Sequence, residues 1–210
     1  MEFKVSITNN KVLSDQEIIY VLKSALMKAI RSSNWRYGVK IGYIFFKVDR
    51  ESFFAILRQS TTEDLNPKAV ELIPAINEIS KKVFWHDIPN LLFRLSRYPK
   101  WYQTFKEPEE NEEDLMQLND LKHSMDSKVI ELPIFSWVFD EHCRLKGSKL
   151  KDFSLSGCWY NRRKIAQTSG AAVNKPVGIL SFSTKSNQIT ATVNGLESSN
   201  ENEQPLSKKE

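Results

Sequence analysis

Aromatic and cationic residues are interleaved at three places in the chain, and these are the residues whose types could carry recognition chemistry. The first cluster is Trp35-Arg36-Tyr37, and the second threads Arg94, Arg97, Lys100 and Lys106 among Phe93, Tyr98, Trp101, Tyr102 and Phe105. The third is Trp159-Tyr160-Asn161-Arg162-Arg163-Lys164. Unpaired bases stack on aromatic faces while Lys and Arg neutralise phosphates, so nucleic-acid sites need this mixture. In the third cluster three consecutive cations follow two aromatics, with Arg144, Lys146, Lys149 and Lys151 just upstream. A phosphate contact is expected there, from Arg144, Lys146, Arg162, Arg163 and Lys164, with Trp159 or Tyr160 stacking. The competing expectation for all three clusters is that the aromatics fill the core, the cations are solvated and their cation–π contacts are incidental.

Catalytic patterns are weaker. Trp85-His86-Asp87 sets an imidazole beside a carboxylate, which could serve as a general base with its orienting group. No G-x-S-x-G supplies a nucleophile and no H-E-x-x-H supplies a metal. Glu141-His142-Cys143 with the later Cys158 is the one gathering of soft ligands, but neither cysteine has a close partner in a zinc-type spacing. Both phosphate-cradling glycine motifs are absent, and Gly38 and Gly42 are expected to flank and interrupt a strand. Asp49, Glu51 and Asp140 could serve a hydrolase or nuclease, although caps and surface charge are their simpler roles. No cofactor and no metal is expected, and binding is expected over catalysis.

The elements that must position these residues read as an α+β fold. The 36–48 stretch, RYGVKIGYIFFKV, is rich in β-branched and aromatic residues and predicts a central buried strand. Before it, alternation over 2–8 predicts a half-exposed strand, Asn9 and Asn10 a turn, and the capping box Ser14…Glu17 a helix from Asp15 to about Ser32. The opening is thus strand, helix, strand. Asp49 caps a short helix over 50–59, with 60–65 as loop. Asn66-Pro67 starts a helix to about Val83 that Pro74 kinks or divides. A further helix, capped by Asn90 or Asp87, stops before Pro99. The acidic run 107–114 is a solvated linker or the first turn of a helix that ends near Ser127. Strands follow over 129–139, with Pro133 at an edge or bulge, and over 153–160; 177–183 and 188–193 form a hairpin. The domain expectation is an α+β core over 1–106, the linker 107–114, a β-rich part over 115–194 on the same core, and a disordered tail over 195–210.

The chain has 210 residues, 40% of them hydrophobic, which suffices for one sizeable core. A net charge of +4 is mildly basic and compatible with an acidic partner. The start, MEFKVSITNN, lacks a secretory h-region, and no apolar run approaches membrane-spanning length. Two cysteines and no N-glycosylation sequon favour an intracellular setting, cytoplasmic or nuclear. The functional expectation is therefore a non-enzymatic nucleic-acid or ribonucleoprotein binding domain, its partner RNA or DNA. The alternative is a small structural or assembly protein, of the kind viral matrix proteins exemplify, that acts through protein contacts or self-association.

Overall fold

The computed structural model of the chain describes residues 10–82, 84–108, 111–125, 129–138 and 176–194. The class is α+β, with helices first and an antiparallel sheet closing over them. Helix α1 (Asp15–Arg31) starts where the capping box requires. The Ser14 hydroxyl accepts from the Glu17 N–H at 3.4 Å, and the Glu17 carboxylate accepts from the Ser14 N–H at 2.8 Å. Its expected apolar face, Ile18, Leu22, Ala25, Leu26 and Ala29, is buried.

The 36–48 stretch is not a strand. It is helix α2 (Trp35–Val48), so the chain opens strand, helix, helix, with Asn34 accepting from the Tyr37 N–H as the cap. The reason lies in the three cations. At 100° per residue Arg36, Lys40 and Lys47 fall within about 40° of one another on a helix, whereas on a strand Lys47 would oppose the other two. The helix turns those three outward and buries Trp35, Tyr37, Val39, Ile41, Ile44 and Phe45 on the remaining circumference. Gly38 and Gly42 are the contact face. A Cβ at Gly38 would make only ordinary contact with Ala29 of α1 at 3.5 Å, whereas one at Gly42 would lie 2.5 Å from Leu92, so the missing side chain at Gly42 lets the helices approach closely.

Helix α3 (Arg50–Glu63) is capped by Asp49, whose carboxylate accepts from the Ser52 N–H at 2.9 Å. It runs through Ser60 to Glu63, where a loop was expected, because Ser60 and Thr61 are fully buried and the Thr61 hydroxyl is satisfied by the Leu57 carbonyl at 2.7 Å. Pro74 divides the next segment as expected. A 3₁₀ turn over Pro67–Leu72 precedes α4 (Ile73–Lys81), which carries the proline in its first turn. Helix α5 (Ile88–Arg97) starts after Asp87 and ends before Pro99. Asn90 lies inside it and accepts from Lys122 instead of capping. The acidic residues Glu112, Glu113 and Asp114 form the first turn of α6 (Glu112–Ser124), which ends three residues earlier than expected.

Among the described residues four strands form the sheet, in the order β1-β4-β3-β2 and antiparallel throughout: β1 (Asn10–Val12), β2 (Val129–Phe135), β3 (Pro176–Ser183) and β4 (Gln188–Asn194). Asn10, expected in a turn, pairs with Asn194 in the ladder. β2 is at the edge of the described sheet, where Pro133 withholds no needed donor, and its register shifts after Ile134. The expected hairpin joins β3 to β4 through a turn that ends at Asn187, φ 53°, a left-handed conformation asparagine tolerates. Ile130, Leu132, Ile134, Leu180, Phe182, Ala191 and Val193 point inward on one face. Tyr43 of α2 meets Phe182 edge-on at 6.2 Å, and the Tyr37 hydroxyl donates to the Pro133 carbonyl at 3.0 Å. Ser24 and Lys28 of α1 both donate to the Val138 carbonyl, at 2.5 and 2.9 Å. The expected strands over 2–8 and 153–160 and the tail over 195–210 lie outside the described residues.

Candidate functional site

The strongest of the three clusters by sequence, with Arg144, Lys146, Trp159, Tyr160, Arg162, Arg163 and Lys164, lies outside the described residues. So do Asp140, Glu141, His142, Cys143 and Cys158. The other two clusters are described, and most of their aromatic side chains belong to the core. Trp35 is buried against Phe93, edge to face at 5.1 Å. Tyr37 is buried, and burial pushes its hydroxyl well above the usual tyrosine range. Tyr98 is 2% exposed and donates to Glu71 at 3.1 Å, and burial together with that carboxylate pushes it up to about 12. Lys100 is buried and donates to the Ser96 carbonyl at 2.9 Å. Trp101 and Tyr102 differ, for each is about half exposed, and Lys68 covers Phe105 at 4.2 Å.

What the fold brings together is Arg36 of the first cluster and Arg97 of the second, which sequence alone leaves unrelated. Both meet Asp114 of α6. Arg36 reaches one carboxylate oxygen at 3.4 Å, and Arg97 donates to the other. Gln117, one turn further along α6, accepts from the Arg36 Nε at 2.8 Å and also from its Nη2. Each guanidinium rests on an aromatic ring, Arg36 over Trp35 at 4.6 Å and Arg97 over Phe93 at 5.3 Å. Since Trp35 and Phe93 are themselves in contact, the two planar forks stand on one buried aromatic pair. Beside them opens a cleft of about 390 Å³ lined by Ser33, Asn34, Trp35, Arg36, Arg97 and Asp114. Ser33, φ 58°, turns the chain from α1 into α2 and brings the positive end of α2 to this cleft.

Two arginines preset on aromatic rings can hold an oxyanion by charge-assisted, planar hydrogen bonds. Asp114 does so now from within the chain. By sequence Asp114 belongs to an acidic run that is a solvated linker or the first turn of a helix; it is the helix, on the spacing of Leu115, Leu118 and Leu121, but its pairing with Arg36 and Arg97 has no local signal.

Of the catalytic candidates, His86, Asp87, Asp49 and Glu51 are described. The Asp87 carboxylate accepts from Lys82 at 2.8 Å through one oxygen, and that bond holds its pKa below the usual range. Asp49 is spent on capping α3, and Glu51 sits in that helix's first turn. Among the described residues no three His, Cys, Asp or Glu are grouped to hold a metal ion, and no helix is long and apolar enough to cross a membrane. No family model, no curated protein and no solved structure matches the chain.

Proposed function

We propose that the protein is a non-enzymatic nucleic-acid or ribonucleoprotein binding domain whose principal contacts lie between Arg144 and Lys164. The observation that carries this reading is where the charge resides. Residues 139–175 hold eight lysines and arginines against Asp140, Glu141 and Asp152, a net of +5 beside +4 for the whole chain. The rest of the chain is therefore close to neutral, and the basic excess coincides with Trp159 and Tyr160. A segment with this composition neutralises phosphates and offers rings for stacking.

Binding of the full chain to labelled single-stranded RNA and double-stranded DNA across a salt series tests the proposal. Affinity should fall steeply with salt. Replacing Arg162, Arg163 and Lys164 with Gln should weaken it and flatten the slope of log K against log salt by up to about 0.9 for each phosphate that is no longer neutralised. Equal affinity and slope in the triple variant would remove the site from this segment, and absence of binding at low salt would remove the function.

A second reading, an assembly protein that acts through protein contacts, is favoured by three exposed rings: Phe84 at 77%, Trp101 at 51% and Tyr102 at 52% exposure. Self-association at micromolar concentration that nuclease treatment leaves unchanged would favour this reading over the first.

A further inference from the structure

We propose that the cleft between α2, α5 and α6 is a phosphate-binding subsite in which Asp114 occupies the place of the ligand. The bridging geometry points there first. One carboxylate oxygen of Asp114 meets Arg36 and the other meets Arg97, so two guanidinium groups on different helices grip a single oxyanion. A phosphate group offers the same pair of oxygens and more charge, and binds two arginine forks at least as well as a carboxylate does.

Asp114 is not the only group that positions the arginines, since Gln117 also accepts from Arg36. Their faces rest on Trp35 and Phe93, which are buried and pack edge to face, and these rings remain under the forks when the carboxylate leaves. The Asp114 side chain is 16% exposed, less than either arginine, and stands in the first turn of α6. In α6 Leu118 is the buried side chain, and residues 105–108 and 111 ahead of that helix form no regular structure. Space for an incoming group already exists, since the cleft of about 390 Å³ exceeds a phosphate ion and has room for a sugar attached to it. The Arg36 side chain, 57% exposed, is reachable from solvent. An entering phosphate would take Arg36 and Arg97 from Asp114 and release the first turn of α6. None of these residues lies in 139–175, so the subsite stands or falls separately from the basic segment. The phosphate could be the diester of a nucleic-acid strand or a free phosphate ester.

The test is a titration of the ¹⁵N-labelled full chain with inorganic phosphate, with chloride at matched ionic strength as control, following the Nε–H signals of Arg36 and Arg97 and the Trp35 amide. Saturable shifts that chloride does not reproduce are expected. Arg36→Gln and Arg97→Gln should each weaken binding by about tenfold, and Asp114→Asn should tighten it by about tenfold, the size of one charge-assisted hydrogen bond. The gain in Asp114→Asn is the decisive arm, because a folding defect cannot imitate it. Shifts that fail to saturate, or that chloride matches in both wild type and Asp114→Asn, would overturn the proposal. A single-stranded oligonucleotide added to the phosphate complex then separates the sources. Displacement of phosphate from Arg36 and Arg97 identifies the strand, and retention identifies a free ester. Phosphate binding with no oligonucleotide binding anywhere would preserve the cleft and remove the nucleic-acid function.

Discussion

Two arginine–aspartate arrangements sit within the same helical layer and do different things. Arg31 of α1 holds Asp64, the residue that ends α3, at 2.7 Å, with the two side chains 14% and 1% exposed. Arg36 and Arg97 hold Asp114, with the arginines 57% and 24% exposed and the aspartate 16%. The chemistry is the same and the dielectric surroundings are not. Burial pushes the Asp64 carboxyl above its usual range, and the Arg31 charge and hydrogen bond offset this only in part. No solvent can replace Arg31 there, so that pair is a structural lock. It fixes α1 to the end of α3, beside the point where the Trp101 N–H meets the Asp64 carbonyl at 3.2 Å. Arg36 faces solvent, so another anion can reach the Asp114 site from that side. Burial is what separates this lock from the proposed subsite.

The largest expected effect follows from breaking the lock. Arg31→Ala should destabilise the fold by about 3 kcal/mol, because it leaves a buried carboxylate without its charge partner. Urea denaturation measures this, and a loss no greater than in Arg36→Ala would erase the distinction between the two sites.

A middle-sized effect concerns pH. The folded pKa of Asp64 lies above its ordinary value of 3.8, so its ionisation costs folding energy. Below 3.8 that cost is absent, and as the pH rises toward the folded pKa stability is lost until the group is fully ionised. Across this window wild type should lose stability relative to Asp64→Asn. Parallel stability profiles for the two proteins would show that burial does not dominate at this carboxyl.

The smallest effect sharpens the contrast. In a double-mutant cycle the coupling between Arg36 and Asp114 should be only about 0.2–1 kcal/mol and should shrink with added salt, as exposed pairs do. The Arg31–Asp64 coupling should exceed it and resist salt. Equal coupling energies with equal salt dependence would make the cleft another lock and deprive it of exchangeability.

Much of the local structure is legible because its causes are local. Ser14 and Glu17 cap α1 through bonds three residues apart. Pro74 cannot supply an N–H, so it divides a helix, and the polar residues 184–187 close the hairpin. Where local cues conflict, the expectation fails. The 36–48 stretch carries β-branched and aromatic residues in number, and those outweigh, to a reader of the sequence, the placement of Arg36, Lys40 and Lys47, which only a helix can put on one side. The 60–65 stretch resembles a loop by polarity, and packing around Ser60 and Thr61 keeps it helical.

The candidate site divides along the same line. That Arg36 stands next to Trp35, and Arg97 near Phe93, is written in neighbouring positions, and so is the basic excess between residues 139 and 175. The α+β class, the caps, the hairpin and the concentration of charge are therefore set by the sequence itself, through interactions that reach a few residues at most. The convergence of Arg36 and Arg97 on Asp114, the burial of Trp35, Tyr37 and Tyr98 that withdraws them from stacking, and the contrast between Asp64 and Asp114 were decided by tertiary packing alone. Gly42 lets α2 approach its neighbours, and that approach joins residues far apart in the chain. The same crossing of helices determines which charge water can reach.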